Sequence, residues 1–198
     1  MQRVVLATGN KGKLAEIRGL LAGEPMEIVP QSEFDFTPAE ETGTTFEENA
    51  LLKARHAAAE TGLVAIADDS GICVDALNGE PGVYTARYAG PNATDQENND
   101  KLLAAMEGVA EEQRGAAFIC VVTVVFPDES REPLIATGRW DGQISTSEHG
   151  GGGFGYDPVF YLPELGRCSA ELSPEEKNAL SHRGQAFRKT AELLREHL

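Results

Sequence analysis

Ala65-Ile66-Ala67-Asp68-Asp69-Ser70-Gly71 is an apolar run that stops at two carboxylates, a serine and a turn glycine. Leu63 to Ala67 has the length and composition of a buried strand. Burying one carboxylate is costly unless it is paired or bound to a metal, and two side by side cost more. An acidic pair at a strand end therefore points to a divalent cation, a general base, or both. Taken alone, the pair would serve equally well to cap the next element or to face solvent.

The sequence around this strand predicts an α/β fold. Upstream, Thr45 and Glu48 make a capping-box pattern. They open a predicted helix over 46–61, with Gly62 as its stop. Further back, Arg3 to Ala7 reads as a first strand, Thr8 to Lys13 as a turn-rich loop, and Leu14, Ile17, Leu20 and Leu21 recur at helical spacing. Met26 to Val29 suggests a second strand. Downstream, residues 77–92 are rich in glycine and proline and read as a structured loop. Thr94 and Glu97 repeat the capping box, ahead of a helix to about Met106. Ala116 to Phe126 and Leu134 to Trp140 read as long strands of an antiparallel hairpin, so the sheet is expected to be mixed. A turn is expected at Asp141-Gly142, with Gln143 to Thr146 extending the strand beyond it. Gly150 to Gly153 reads as flexible. Ser173-Pro174 and Glu176 start a helix that Ser181 to Gly184 interrupts, and a terminal helix carries Phe187, Ala191 and Leu194 on one face.

Length and composition narrow the class. The chain has 198 residues, enough for one sizeable core and one expected domain over 1–198. No stretch approaches the ~18 apolar residues of a membrane span, and no signal-peptide pattern opens the chain. Three widely spaced cysteines, Cys73, Cys120 and Cys168, form neither a disulfide framework nor a zinc motif, so a reducing, cytoplasmic location is expected. A net charge of −15 argues against a nucleic-acid backbone or an anionic membrane as partner. It leaves room for a small anion held by a few lysines.

Several groups of residues offer that chemistry. Gly9 and Gly12 with Lys11 and Lys13 resemble a phosphate cradle, though not a P-loop or a dinucleotide fingerprint, and an ordinary strand-to-helix turn would look similar. Lys53 lies within the second predicted helix, where a lysine is ordinarily a solvated side chain with an apolar stem. Glu40-Glu41, just before that helix, could add a third carboxylate to Asp68-Asp69 or simply favour the helix N-terminus. Phe154, set among glycines in Gly152-Gly-Phe-Gly-Tyr-Asp-Pro158, could stack on a nucleobase or plug a core edge. Ser181-His182-Arg183-Gly184, with Lys177 upstream, supplies hydrogen-bond donors, or ordinary capping by Ser181. Together these residues provide lysines for phosphates, carboxylates for a metal, and an aromatic ring plus donors for a base, which is the inventory of a nucleoside triphosphate site.

Five motifs, in order over nearly the whole chain, resemble the inosine triphosphate pyrophosphatases, in bacteria the dITP/XTP pyrophosphatases. They are Thr8-Gly-Asn-Lys-Gly-Lys13, Glu40-Glu-Thr-Gly-Thr-Thr-Phe-Glu-Glu-Asn-Ala50, Ala67-Asp-Asp-Ser-Gly71, Gly152-Gly-Phe-Gly-Tyr-Asp-Pro158 and Ser181-His-Arg-Gly184. The resemblance implies a long mixed central sheet flanked by helices, two lobes around an active-site cleft, and a homodimer. It implies Mg2+-dependent hydrolysis of dITP, ITP and XTP to the monophosphate and pyrophosphate, which cleanses the nucleotide pool. It assigns Thr8, Gly9, Asn10, Lys11, Gly12, Lys13 and Lys53 to the triphosphate, Asp69 to the general base, and Glu41, Asp68 and Asp69 to the metal. Ser70 would touch the substrate, and Phe154, Gly155, Tyr156, Asp157, Lys177, His182 and Arg183 would hold the base. The rival readings are a non-catalytic nucleotide-binding protein and a pyrophosphatase for modified pyrimidine triphosphates.

Overall fold

The computed structural model describes residues 2–198. Seven strands form one mixed sheet in the order β2-β1-β3-β4-β5-β6-β7: β1 (Gln2–Leu6), β2 (Met26–Pro30), β3 (Val64–Val74), β4 (Gly115–Val125), β5 (Leu134–Ile144), β6 (Phe160–Leu162) and β7 (Arg167–Cys168). β1 runs parallel to both β2 and β3, whereas β6 runs antiparallel to β5 and β7. Five helices accompany them: α1 (Lys11–Leu20), α2 (Phe46–Thr61), α3 (Asp95–Ala105), α4 (Pro174–Leu180) and α5 (His182–His197).

The chain divides into two compact units. The residues through Asp69, Cys120–Gly138 and Arg183–Leu198 form the first, and Ser70–Ile119 with Arg139–His182 form the second. Each of the long strands β3, β4 and β5 contributes residues to both.

In the first unit the strands alternate between two cores, as the pleat requires. Val4, Leu6, Val64, Ile66 and Val122 lie on one face, covered by Ile17 of α1, by Leu21 just past its end, and by Phe187 and Leu194 of α5. Val5, Ala7, Ala65 and Ala67 lie on the other, beneath Ala54, Ala57 and Ala58 of α2. The small residues of α2 let that helix approach the sheet closely. In the second unit Ile72, Val74, Phe118, Trp140, Ile144 and Phe160 form a separate core with Leu102 and Met106.

The predicted helix ends form as expected. Thr45, Thr94 and Ser173 each close a capping box with the glutamate three residues on, worth about 1 kcal/mol apiece. Gly62 ends α2 with a φ of +66°, a conformation that favours glycine.

Four local expectations are corrected. β3 does not stop at Ala67 but runs through both aspartates to Val74, so the acidic pair lies mid-strand. No turn forms at Asp141-Gly142, and β5 is continuous. Gly142 is there for space: a Cβ would lie 2.6 Å from the Phe160 ring and 2.7 Å from the Tyr161 carbonyl oxygen of the neighbouring strand. The Gly150–Gly153 run is tied down in part, although Gly151 stands in open space. Its Gly152 amide donates to the Ala170 carbonyl at 2.9 Å, and a Cβ on Gly150 would lie 2.6 Å from Ala170. Finally, only Ser181 separates α4 from α5, and His182, Arg183 and Gly184 are helical.

Candidate active site

The position of Asp68 and Asp69 within β3 sends them to opposite faces of the sheet. Asp68 continues the face of Val64 and Ile66, and Asp69 continues that of Ala65 and Ala67.

Asp68 is 1% exposed. Its Oδ2 accepts from Lys13 Nζ at 3.0 Å and lies 3.8 Å from Arg183 Nε. Arg183 in turn donates through Nη1 to Glu16 at 2.5 Å. Glu16, Arg183, Asp68 and Lys13 thus form a chain of alternating charge that sums to zero. Burial pushes the Asp68 carboxyl up, but the Lys13, Arg183 and Lys53 cations outweigh it and hold the group well below the ordinary carboxylate range. The Cys120 sulfur lies 4.0 Å from Asp68 Oδ2, and burial together with that carboxylate pushes its thiol up to about 12.

On the other face, Lys53 Nζ projects from α2 into an acidic setting. It donates to Glu41 Oε1 at 3.0 Å and to the Asp68 carbonyl at 2.7 Å, and lies 3.6 Å from Asp69 Oδ1. Burial pushes the ammonium down, but Asp68, Asp69 and Glu41 prevail and raise it, so Lys53 stays charged. Asp69 shifts the other way. Burial raises it, Lys53 and Lys13 only partly offset that, and the neighbouring Glu41 and Asp68 charges raise it further. Asp69 Oδ2 and Asp68 Oδ1 are buried and have no hydrogen-bond partner.

The three carboxylates expected to ring a metal are therefore not gathered. Among the described residues no cluster of three His, Cys, Asp or Glu side chains is assembled for one. Strand alternation separates Asp68 from Asp69, and the Lys53 ammonium links Glu41 to Asp69. What remains is a two-carboxylate site, Glu41 and Asp69, with one orphaned oxygen. Mg2+ is ordinarily held in this way, by one or two protein carboxylates plus the substrate's phosphates.

Of the predicted phosphate loop, only Thr8 to Asn10 is loop. Lys11, Gly12 and Lys13 form the first turn of α1, because the Asn10 side chain accepts from the Lys13 amide at 3.0 Å and caps it. Thr8 Oγ accepts from the Asn10 amide at 3.2 Å, which tightens the turn. Gly9, Asn10 and Lys11 are exposed, and Ser70 is half-buried on β3.

The residues assigned to the base fall in the second unit, apart from Arg183. Asp157 is a hub: Oδ2 accepts from Lys177 Nζ at 2.6 Å and from the Phe154 amide at 3.0 Å, while Oδ1 accepts from Ser169 Oγ at 2.7 Å. The Lys177 ammonium lies 4.7 Å from the centre of the Phe154 ring. Tyr156 donates its hydroxyl to the Thr85 carbonyl at 2.6 Å, and burial pushes its phenol up. The His182 ring stacks on Phe118 at 4.6 Å, with Trp140 at 6.3 Å. Within this loop Asp157 and Tyr156 thus brace the backbone, and Phe154 presents the aromatic surface.

Residues that the motifs passed over also take part. Glu16 lies three positions after Lys13, on the same face of α1, a signal present in the sequence. Phe118, Trp140 and Ser169 are far from any motif, and only the fold brings them to His182 and Asp157.

The Ham1 family model matches residues 4–193. A dITP/XTP pyrophosphatase of Yersinia pseudotuberculosis is 56% identical over 99% of this chain and all of its own. One of Photorhabdus laumondii is 57% identical over 98% and 99%. The structure of a HAM1 protein from Coxiella burnetii superposes with a TM-score of 0.91 at 49% identity, covering 99% of this chain and all of that one. The fold, the order of the motifs and these full-length matches agree: the chain belongs to the Ham1 family.

Proposed function

We propose that this protein is a dITP/XTP pyrophosphatase, which hydrolyses dITP, ITP and XTP to the nucleoside monophosphate and pyrophosphate. The carrying observation is Asp69. It is a buried carboxylate with a raised pKa and an oxygen without a partner, beside a lysine and a second carboxylate on one face of β3. Such a group is a stronger base than an ordinary aspartate and can take a proton from a water aligned on the α-phosphorus. The bond from that phosphorus to the bridging oxygen breaks, the monophosphate gains the water's oxygen, and pyrophosphate leaves.

Lys13 and Lys53 offset the charge that builds on the departing pyrophosphate. Thr8 to Gly12 bring backbone and side-chain donors to the phosphates, and Ser70 adds a hydroxyl. Mg2+, when bound, supplies further positive charge to the phosphate oxygens. Glu41 and Asp69 would hold it, through the unpaired oxygen of Asp69.

A purine would stack on Phe154, held by the backbone of Gly155 to Asp157 and by Lys177. His182 and Arg183 donate to the 6-oxo oxygen that hypoxanthine and xanthine share. Adenine has an amino donor there and would leave those donors unpaired, which is costly in a buried site. Guanine also carries the 6-oxo group, so its rejection acts at the 2-position. Among the described residues no helix is long and apolar enough to cross a membrane. A homodimer belongs to the same proposal, and sedimentation at micromolar concentration should give about twice the 21.2 kDa chain mass.

The test is a substrate panel of ITP, dITP, XTP, ATP and GTP with Mg2+ in 18O-labelled water. Monophosphate carrying the label, with pyrophosphate as co-product and the deaminated purines preferred, is expected. Binding without turnover would favour the non-catalytic reading, and inorganic phosphate as first product would place the cut at another bond.

A further inference from the structure

α3 buries two consecutive asparagines and one leucine. Asn98 accepts from the Ala89 amide at 2.8 Å and donates to the Ala86 carbonyl at 3.1 Å, which ties the helix to the segment containing Thr85. Asn99 donates to the Gly155 carbonyl at 3.0 Å, and Asp95 Oδ2 accepts from the Gly155 amide at 2.8 Å. Asp95 and Asn99 stand four residues apart, on one face of α3. They grip the peptide groups on both sides of a single glycine.

That glycine has a φ of +60° and follows Phe154 directly. Glycine is the residue with the most backbone freedom. Left unfastened, Gly155 would let the Phe154 ring swing. Asn99 is 2% exposed, and its Oδ1 has no hydrogen-bond partner. A buried, unsatisfied amide oxygen is a liability that an apolar side chain would avoid. Its retention is explained by the bond that the other end of the amide makes to Gly155.

Resting on the reading that the Phe154 loop holds the base, we propose that Asp95 and Asn99 are positioning residues for base recognition. Through Gly155 they fix the aromatic surface on which the purine stacks, and neither touches the phosphates.

The test is calorimetric binding of an ITP analogue that cannot be cleaved between its α and β phosphates, set against inorganic pyrophosphate as a base-free ligand. Asp95→Ala and Asn99→Ala should each weaken the analogue about tenfold, the scale of one lost hydrogen bond, and leave pyrophosphate unchanged. Asp95→Asn, which keeps an acceptor for the Gly155 amide, should bind like the parent protein. In turnover the loss should appear in KM rather than kcat. Phe154→Ala separates the proposal from the reading beneath it. If Phe154→Ala weakens the analogue while the Asp95 and Asn99 variants do not, the positioning role is overturned and the base site stands. If Phe154→Ala leaves affinity intact, the base site is elsewhere and the proposal falls with it. Equal losses on analogue and pyrophosphate would mean general loosening and would also overturn it. Asp95 is exposed, so its variants test the idea even if Asn99→Ala does not fold.

Discussion

Asp68 and Asp69 are adjacent in sequence and opposite in chemistry. On the Asp68 face, two carboxylates meet two cations, Lys13 and Arg183, and the Asp68 carboxyl is held below its usual range. On the Asp69 face, two carboxylates share one cation, Lys53, and the Asp69 carboxyl is pushed above its usual range. The first set is charge-balanced and ties Asp68 down, while its cations Lys13 and Arg183 are also proposed to meet the substrate. The second is one positive charge short, and its spare oxygen and raised basicity suit a reacting site. One peptide step along a pleated strand is enough to divide the roles.

The largest expected effect comes from removing the balanced carboxylate. Asp68→Asn leaves Arg183 and Lys13 without their shared partner inside the first unit. Breaking a buried ion pair from one side costs about 3–5 kcal/mol, which for a chain of this size lowers Tm by on the order of 10 °C. An Asp68→Asn protein that melts like the parent would erase the distinction between the two faces.

Asp69→Asn should do the reverse, with Tm nearly unchanged and turnover down at least ~10²-fold, the lower range for losing a general base. The pH dependence carries the same contrast. In the proposed mechanism activity needs ionised Asp69, so it should fall on acidification as that carboxylate is protonated. Burial and its acidic neighbours raise the group in the metal-free protein, and Mg2+ bound to it would lower it. Asp69 itself does not destabilise the fold in that window, because a raised folded pKa means that protonation favours the native state. Asp68 is depressed, so its contribution to stability is present above the unfolded-state pKa and is lost only as pH falls below that value toward the folded one. The enzyme should therefore lose activity reversibly at a pH where circular dichroism still reports a folded chain. Coincident loss of both would refute the assignment.

Much of this fold was legible because its signals are local. Capping boxes, the αL glycine at 62 and the apolar periodicity of α1 and α5 depend on neighbours in sequence. The mid-strand position of Asp68-Asp69 was not legible. Two carboxylates break an apolar pattern, and only partners distant in sequence, Lys13, Lys53 and Arg183, make them tolerable inside a strand. β6 and β7 are too short to show a pattern, and Gly142 looked like a turn because its reason lies in the Phe160 ring across the sheet. At the site, the motifs named carboxylates and cations that the fold brings together, without showing which charge faces which. They missed Glu16, Asp95 and Asn99, which act on other residues of this chain.

Arg183 belongs to the balanced face and is also the proposed donor to the base. A guanidinium carries five N–H donors, enough for two carboxylates and a substrate oxygen. Arg183→Ala should narrow the ITP-to-ATP ratio of kcat/KM by about 1–3 kcal/mol, because ATP gains nothing from that donor. Both substrates must be measured on the same variant. If both activities fall and the ratio holds, Arg183 serves only Asp68 and Glu16, and the base is read by His182 and the Phe154 loop.

The smallest expected effect probes the missing charge on the Asp69 face. The Lys53 ammonium already links Glu41 and Asp69, so a divalent cation arriving alone meets a positive charge at the same oxygens. A single and a double positive charge about 4 Å apart repel by about 8 kcal/mol at an effective dielectric of 20, before either relaxes. A triphosphate arriving with the metal changes this, since its oxygens give Lys53 another anion to hold. Lys53→Met keeps the apolar stem and removes the ammonium. It should tighten the binding of Mg2+ alone several-fold and weaken that of metal-free pyrophosphate, both read by calorimetry without nucleotide. Unchanged or weaker Mg2+ binding would mean that Lys53 organises the two carboxylates rather than competing for them. The Asp69 face would then be as fixed as the Asp68 face, with its role set by the raised basicity of Asp69 alone.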